Sequence, residues 1–205
     1  MKTFILAITG PTNAGKSYFT EKLEKYAFQK GVKTISISTD EFYRDLSHLT
    51  LNKRNKVNYD HPDSIDSEEF IDACKKISEG NEIDIPIYDF SVHNRKETKR
   101  TIEKIDLLIV EGIFTLAFPK ANKFYSLRIY IDMDNDVRVI RRIQRDMENR
   151  GRTLDSVITQ YMETVKPTQQ DFVQRDIEKV DIILKGDKDH QIIREMIVAL
   201  ILENK

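Results

Sequence analysis

Tryptophan is absent from the 205 residues, cysteine occurs once, and glycine and proline number only seven and five. A single cysteine cannot close an intramolecular disulfide, which excludes a secreted scaffold stapled by bridges. No Pro/Gly/Ser-rich linker, internal repeat or low-complexity tract interrupts the chain, so one domain is expected over residues 1–205. Neither charge sign dominates. Lys and Arg total 33 against 34 Asp and Glu, a net charge of -1 that gives nucleic acid or an anionic membrane no global field to follow. Long apolar runs are missing too. The N-terminal "FILAIT" (4–9) is six residues long and passes directly into a glycine motif rather than a cleavage site, so neither a membrane span nor a leader is expected. The expectation is a cytoplasmic protein with no membrane and no nucleic-acid partner.

What is present is a globular composition, 40% hydrophobic and 33% charged. Short apolar runs at 4–9, 33–38, 106–112, 127–132 and 180–184 alternate with helical patterns. One helix follows the first strand, with Phe19, Leu23, Tyr26 and Ala27 on a single face and Gly31 as its stop; others lie near 67–79, 134–148, 153–165 and 189–203. Strands that are apolar throughout and alternate with helices predict an α/β fold, a five-stranded parallel sheet covered on both faces. Cys74 shares a stripe with Phe70, Ile71 and Ile77 and reads as a small core residue. "EIDIPIYDF" breaks the alternation: Ile83, Ile85 and Ile87 recur at period two, and a small β-hairpin insert is expected over about 82–104.

The segment "GPTNAGKS" fits G-x-x-x-x-G-K-[ST] between a strand and a helix. Gly10 and Gly15 permit backbone turns that let successive N–H groups of the loop converge on phosphates, with Pro11, Thr12, Asn13 and Ala14 between them. The helix N-terminus adds its positive end. Lys16 would reach the β- and γ-phosphates and Ser17 would ligate Mg²⁺, so ATP and Mg²⁺ are the expected nucleotide and ion. Glu111 ends the apolar "LLIVE"; a charge there is costly unless it meets a cation, which suits metal assistance. No residue three before any glycine is Asp and "LNKRNK" lacks the Asp of a guanine reader, so a GTPase is not expected.

Asp40 lies just past the second strand, facing the crevice where open α/β sheets bind ligands. A carboxylate there can accept the proton of a hydroxyl attacking the γ-phosphorus. Asp60, His61 and Asp63 cluster around Pro62 in a loop that suits either sugar binding or a plain turn. In "DVRVIRRIQRDMENRGRTL", Arg138, Arg141, Arg142 and Arg145 share one helical face, and Arg150 and Arg152 flank Gly151 in an expected mobile loop. For Arg138 and Arg141 a solvated face paired with Asp134, Asp146 and Glu148 is expected. Acidic residues interleave with these arginines and no aromatic platform accompanies them, which argues against RNA.

With "DEFYR", "YDHPDSID", "IPIYDFSVHNR", "IVEG", "RRIQRDMENRGR" and "TQYMETVKP" in this order, the chain resembles the uridine kinase (uridine-cytidine kinase) family, within the phosphoribulokinase/uridine kinase group of P-loop kinases. The resemblance spans nearly the whole chain and implies ATP-dependent phosphorylation of uridine or cytidine at the ribose 5′-hydroxyl, with a homo-tetramer common in the family. It implies Asp40 as catalytic base with Tyr43 beside the substrate. Asp60 would bind the ribose hydroxyls, and Tyr88 and His93 would grip the pyrimidine. It further implies an arginine-rich lid over about 142–160, in which Arg142, Arg145, Arg150 and Arg152 contact phosphates and substrate and Gln160 adds a substrate contact. The string here is "SVHNR" where family members tend to read "VSHSR". Two rivals stay open: a kinase of the same fold acting on a phosphorylated sugar or a pantothenate-like compound, and a nucleotide-binding regulator without acceptor chemistry.

Overall fold

The computed structural model describes residues 2–204. The chain opens with β1 (Phe4–Thr9), the glycine loop, α1 (Lys16–Gln29) and β2 (Thr34–Ser38). A long excursion follows, made of the single turn α2 (Leu51–Arg54), helix α3 (Ser67–Ser78) and the antiparallel pair β3 (Ile83–Asp89) and β4 (Asn94–Ile102). The chain returns through β5 (Leu107–Glu111) and β6 (Leu127–Asp132) into α4 (Asn135–Arg150), α5 (Leu154–Gln160) and the short α6 (Lys166–Thr168). It closes with β7 (Ile182–Lys185) and α7 (Gln191–Glu203). No helix among the described residues is long and apolar enough to cross a membrane.

Five strands make one parallel sheet in the order β2-β5-β1-β6-β7, as the alternation of strands and helices predicts. Successive residues of each strand feed opposite layers. Ile5, Ala7, Leu108 and Val110 pack with Phe42, Phe70 and Cys74 on one side. Leu6, Ile8, Leu107 and Ile109 pack with Phe19 and Leu23 of α1 and Ile197 of α7 on the other. Both faces being covered, no position in the central strands tolerates water, which is why they read as unbroken apolar runs. Cys74 is fully buried and its thiol is pushed up to about 12 by burial, an inert core group.

The hairpin is present but not regular. Its register shifts between Pro86 and Tyr88, so Ile85 and Tyr88, three positions apart, are both buried. A bulge of this kind re-aims the side chains beyond it, and strict alternation from Ile83 could not have placed Tyr88 inward.

Two expectations need correction. The helix expected to end near 165 continues through a π-turn (Tyr161–Val165), α6, a second π-turn (Gln169–Val173) and a 3₁₀ turn (Gln174–Lys179). Pro167 falls at the start of α6 directly after the first π-turn, where the shifted ladder accommodates its missing N–H. Second, Arg138 is not solvated. It is 1% exposed, its Nε donating to the Met133 carbonyl at 3.0 Å and an Nη to Gln169 at 2.8 Å. Helix α4 is inverted: Arg138, Arg142 and Asp146 face inward while Ile140 and Met147 face water. The inward face is polar because it meets the Gln160–Gln169 segment and the cleft described below. Arg141 is exposed, as expected, and also lines the edge of that cleft.

Phe70 anchors the α3 layer, edge-on to Phe42 (5.2 Å) and Phe118 (5.6 Å). Phe70→Ala should lower unfolding free energy by about 3–5 kcal/mol in urea titrations while leaving the parallel-sheet layer assembled. A loss under about 1 kcal/mol would mean that the layer closes over the vacancy.

Candidate active site

The glycine loop sits at the carboxyl end of β1 and is held in unusual backbone geometry. Gly10 (φ 136°) lies against the carbonyl of Ile131, where a Cβ has no room. Gly15 (φ 105°) precedes α1, and Asn13 between them also takes a positive φ of 59°. Behind the loop, Gly186 at the end of β7 backs onto the Ala14 carbonyl and donates its N–H to Asp132 O at 2.7 Å. Strands β6 and β7 thus both back the loop. Lys16 donates to the carbonyls of Gly10 and Pro11, both at 2.9 Å. The Ser17 hydroxyl bonds the two oxygens of Glu111 at 3.0 and 3.2 Å.

Asp40 is fixed by local sequence. Ser38 and Glu41 form a reciprocal capping box, with Asp40 N bonded to Ser38 Oγ (3.2 Å) and Ser38 N to Glu41 (2.9 Å). Arg100 from the hairpin secures Glu41 at 3.2 Å. Asp40 therefore projects from a braced 3₁₀ turn into the same cleft as Lys16 and Glu111. Burial raises the Asp40 carboxyl to about 6, against the pull of Lys16 and with the push of Glu111. Burial lowers the Lys16 ammonium to about 8, Glu111 and Asp40 opposing.

The facing wall is aromatic. Tyr43 lies edge-on to Tyr59 (5.1 Å) and Tyr88 (5.0 Å), and Tyr59 stacks on His93 at 5.2 Å and 19°. Burial, then Arg150 and Arg54, depress the His93 pKa, so its imidazole is neutral near pH 7. His93 holds a positive φ of 49° because the residues after it are pinned. Asn94 accepts from Leu46 N (2.8 Å) and donates to Ser47 (2.8 Å), while Arg95 donates to Tyr43 O (2.5 Å) and pairs with Glu69 (2.5 Å). Asp60 is gripped from the helix beyond α4: Gln160 Nε2 at 3.2 Å and Thr164 Oγ1 at 2.8 Å donate to its carboxylate, and Thr168 to its carbonyl.

The arginines close the perimeter. Arg142 donates to Thr12 of the loop (3.4 Å) and to Gln160 Oε1 (3.1 Å); Arg152 also reaches Gln160. Arg145 and Arg150 line the same cleft, whose volume is about 1310 Å³. The loop expected at Gly151 turns a corner there: Gly151 (φ 61°) ends α4, and Arg152 N bonds Asp146 O at 3.1 Å.

A sequence model of the phosphoribulokinase/uridine kinase family matches residues 5–192. The chain belongs to this family. It is 42% identical over 184 residues to the uridine kinase of Lactococcus lactis subsp. cremoris (strain MG1363), covering 89% of this chain and 88% of that one. It is 39% identical to the uridine kinase of Clostridium novyi (strain NT) over the full length of both. Among solved structures, phosphoribulokinase from Rhodobacter spheroides shares the fold at a TM-score of 0.67 and 17% identity, over 89% of this chain and 69% of that one. Membership in a family of kinases makes ATP the nucleotide that the loop serves.

In this family member the cleft gathers Pro11, Thr12, Asn13, Gly15, Lys16, Ser17, Asp40, Tyr43, Asp60, Tyr88, His93, Glu111, Arg142, Arg145, Arg150, Arg152 and Gln160. Gly10 and Ala14 are not on its surface: both are buried, shaping the loop from behind. Sequence reading passed over Tyr59, Thr164 and Thr168, and took Asp146 for a surface pairing partner alone. Tyr59 adjoins Asp60 in "YDHPD", and Gln160, Thr164 and Thr168 repeat every four residues, the spacing of one helical face. Those were the available signals. Carboxyl-carbon NMR should give Asp40 a titration midpoint near pH 6, the value that burial imposes. Lys16→Met should move it higher, since the ammonium holds it down. A midpoint in the ordinary aspartate range would contradict the recessed floor.

Proposed function

We propose that the chain transfers the γ-phosphoryl group of ATP to the 5′-hydroxyl of uridine, and of cytidine, releasing ADP and the nucleoside monophosphate. The observation that carries this reading is the shared cleft. A phosphate loop with Lys16 and a recessed carboxylate, Asp40, face an aromatic wall bearing a neutral imidazole. A phosphorylated sugar or a pantothenate-like acceptor has no use for that wall, and a regulator without acceptor chemistry has no use for Asp40. The uridine kinases to which the chain is similar over most of its length support the same substrate class.

Each residue then has a role. Lys16 exchanges its loop carbonyls for phosphate oxygens of the donor. Ser17 and Glu111 already share a hydrogen bond, two hard oxygen ligands side by side, which suits Mg²⁺, an ion that takes few protein ligands and completes its shell with phosphate and water. When bound, the ion offsets charge on the phosphate oxygens. Asp40 accepts the 5′-hydroxyl proton as the oxygen bonds to phosphorus and the bond to ADP breaks. Asp60 orients the ribose, with Tyr43 alongside. Tyr88 and Tyr59 provide faces for the base, and the His93 ring nitrogens offer one donor and one acceptor, compatible with O4 of uridine or N4 of cytidine. Arg142, Arg145, Arg150 and Arg152 balance the charge of transfer, and Gln160 ties Asp60 to them. A homo-oligomer, which the family resemblance implies, is the proposed working state.

A coupled assay of ADP release across nucleosides, a phosphorylated sugar and pantothenate tests the reading; turnover confined to the latter two would overturn it. Asp40→Asn should keep ATP binding yet lower kcat by about 10²–10⁴-fold. Undiminished turnover would remove Asp40 from proton transfer. His93→Ala should raise KM for uridine about tenfold with little change for ATP; equal shifts in both would show that the hairpin does not read the base.

A further inference from the structure

Helix α4 carries an acid that the reading above leaves without a task. Asp146 is 0% exposed, yet four guanidinium groups surround it. Arg145 meets its Oδ1 through Nε at 2.9 Å and Nη2 at 2.8 Å, and Arg150 Nη1 stands 3.4 Å from the same oxygen. Arg142 Nε lies 3.6 Å and Arg152 Nη1 3.8 Å from Oδ2. The Asp146 carbonyl also receives the Arg152 N–H at 3.1 Å, so backbone and side chain together fix the corner between α4 and α5. One carboxylate among four cations leaves a net charge of three positives beside the phosphate loop.

Position separates the partners from the acid, although Arg142 is nearly as buried. Arg145 and Arg150 are 34% and 51% exposed, and all four arginines line the cleft, whereas Asp146 lies wholly behind them. Asp146 cannot reach a phosphate or a nucleoside; it reaches only the guanidiniums. Four cations crowded on one perimeter repel one another and, without a common anion, gain by splaying into water. A buried acid at their centre cancels part of that repulsion and sets the direction in which each remaining N–H points. The fit is also incomplete: Asp146 Oδ2 and Arg142 Nε are both buried without a hydrogen-bond partner while 3.6 Å apart. A small inward movement of either would pair them.

We infer that Asp146 is a positioning residue for phosphoryl transfer, the common anion that holds Arg142, Arg145, Arg150 and Arg152 aimed at the transferring group. The inference rests on the kinase reading. Placement of charge at the transition state governs kcat, whereas the aromatic wall and Asp60 govern nucleoside binding, so the two are separable in kinetics.

Asp146→Asn preserves shape and removes the charge. In the full-length chain with ATP and uridine, kcat should fall roughly 10- to 100-fold, with KM for uridine within about twofold of wild type. Arg145→Gln should also lower kcat, and the double variant should lose no more than the worse single one, because the acid acts through the arginine. An unchanged kcat in Asp146→Asn, or fully additive losses, would overturn the inference, as would a rise in KM for uridine matching the loss of kcat. Should circular dichroism show Asp146→Asn unfolded, Asp146→Glu keeps the charge and lengthens the arm. Its kcat should drop with KM held, and a wild-type kcat there overturns the inference equally. Failure of the underlying reading looks different, since the unsubstituted chain would then turn over no nucleoside.

Discussion

Lys16, Asp40 and Glu111 occupy one recessed floor, and their mutual field is the constraint on which the rest of the molecule is built. An ammonium and two carboxylates withdrawn from water are costly unless each meets its complement. Here Lys16 leans on two loop carbonyls, Glu111 on Ser17, and the burial cost shows in the displaced proton affinities of Lys16 and Asp40. These displacements suit the chemistry: an acid raised to about 6 is a stronger base than an ordinary aspartate, yet still ionised at neutral pH. The parallel sheet makes the arrangement affordable, since β1, β2 and β5 deliver all three groups from neighbouring strand ends.

Around that floor, the walls are cross-braced rather than independently folded. Glu41 follows Asp40 directly and is held by Arg100 of the hairpin, while Arg95 of the hairpin holds Tyr43. Gln160 joins the acceptor loop at Asp60 to the arginines Arg142 and Arg152. Short, polar, directional links therefore join the walls. Such links have few alternative arrangements, which favours concerted over piecemeal adjustment.

The sheet was legible because its physics is one-dimensional: strands covered on both faces must be apolar at every position, and the glycine loop must sit between strand and helix. Cys74 in the core and Asp40 at a strand end were readable on the same grounds. Legibility failed where a residue's environment is supplied by a distant segment. Arg138 looks solvated by composition, and its burial is satisfied partly by its own neighbours Met133 and Asn135 and partly by Gln169 on a distant helical stretch. Pro167 looks like a terminator until the π-turn before it shifts the ladder. Tyr88 faces inward through a bulge that alternation cannot encode. Asp146 looked like one partner in a surface pairing pattern; three arginines of α4 and a fourth from the corner after it, all converging on one acid, are a property of the fold.

Gly186 has an implication for how the protein comes into being. The phosphate loop is written in residues 10–17, yet its rear support arrives with β7, some 170 positions later. During synthesis the amino-terminal half emerges carrying every atom of the loop but nothing to press against Ala14. A fragment ending before β7 lacks the glycine that lies against Ala14, so this rear contact of the loop forms only when the last strand pairs with β6.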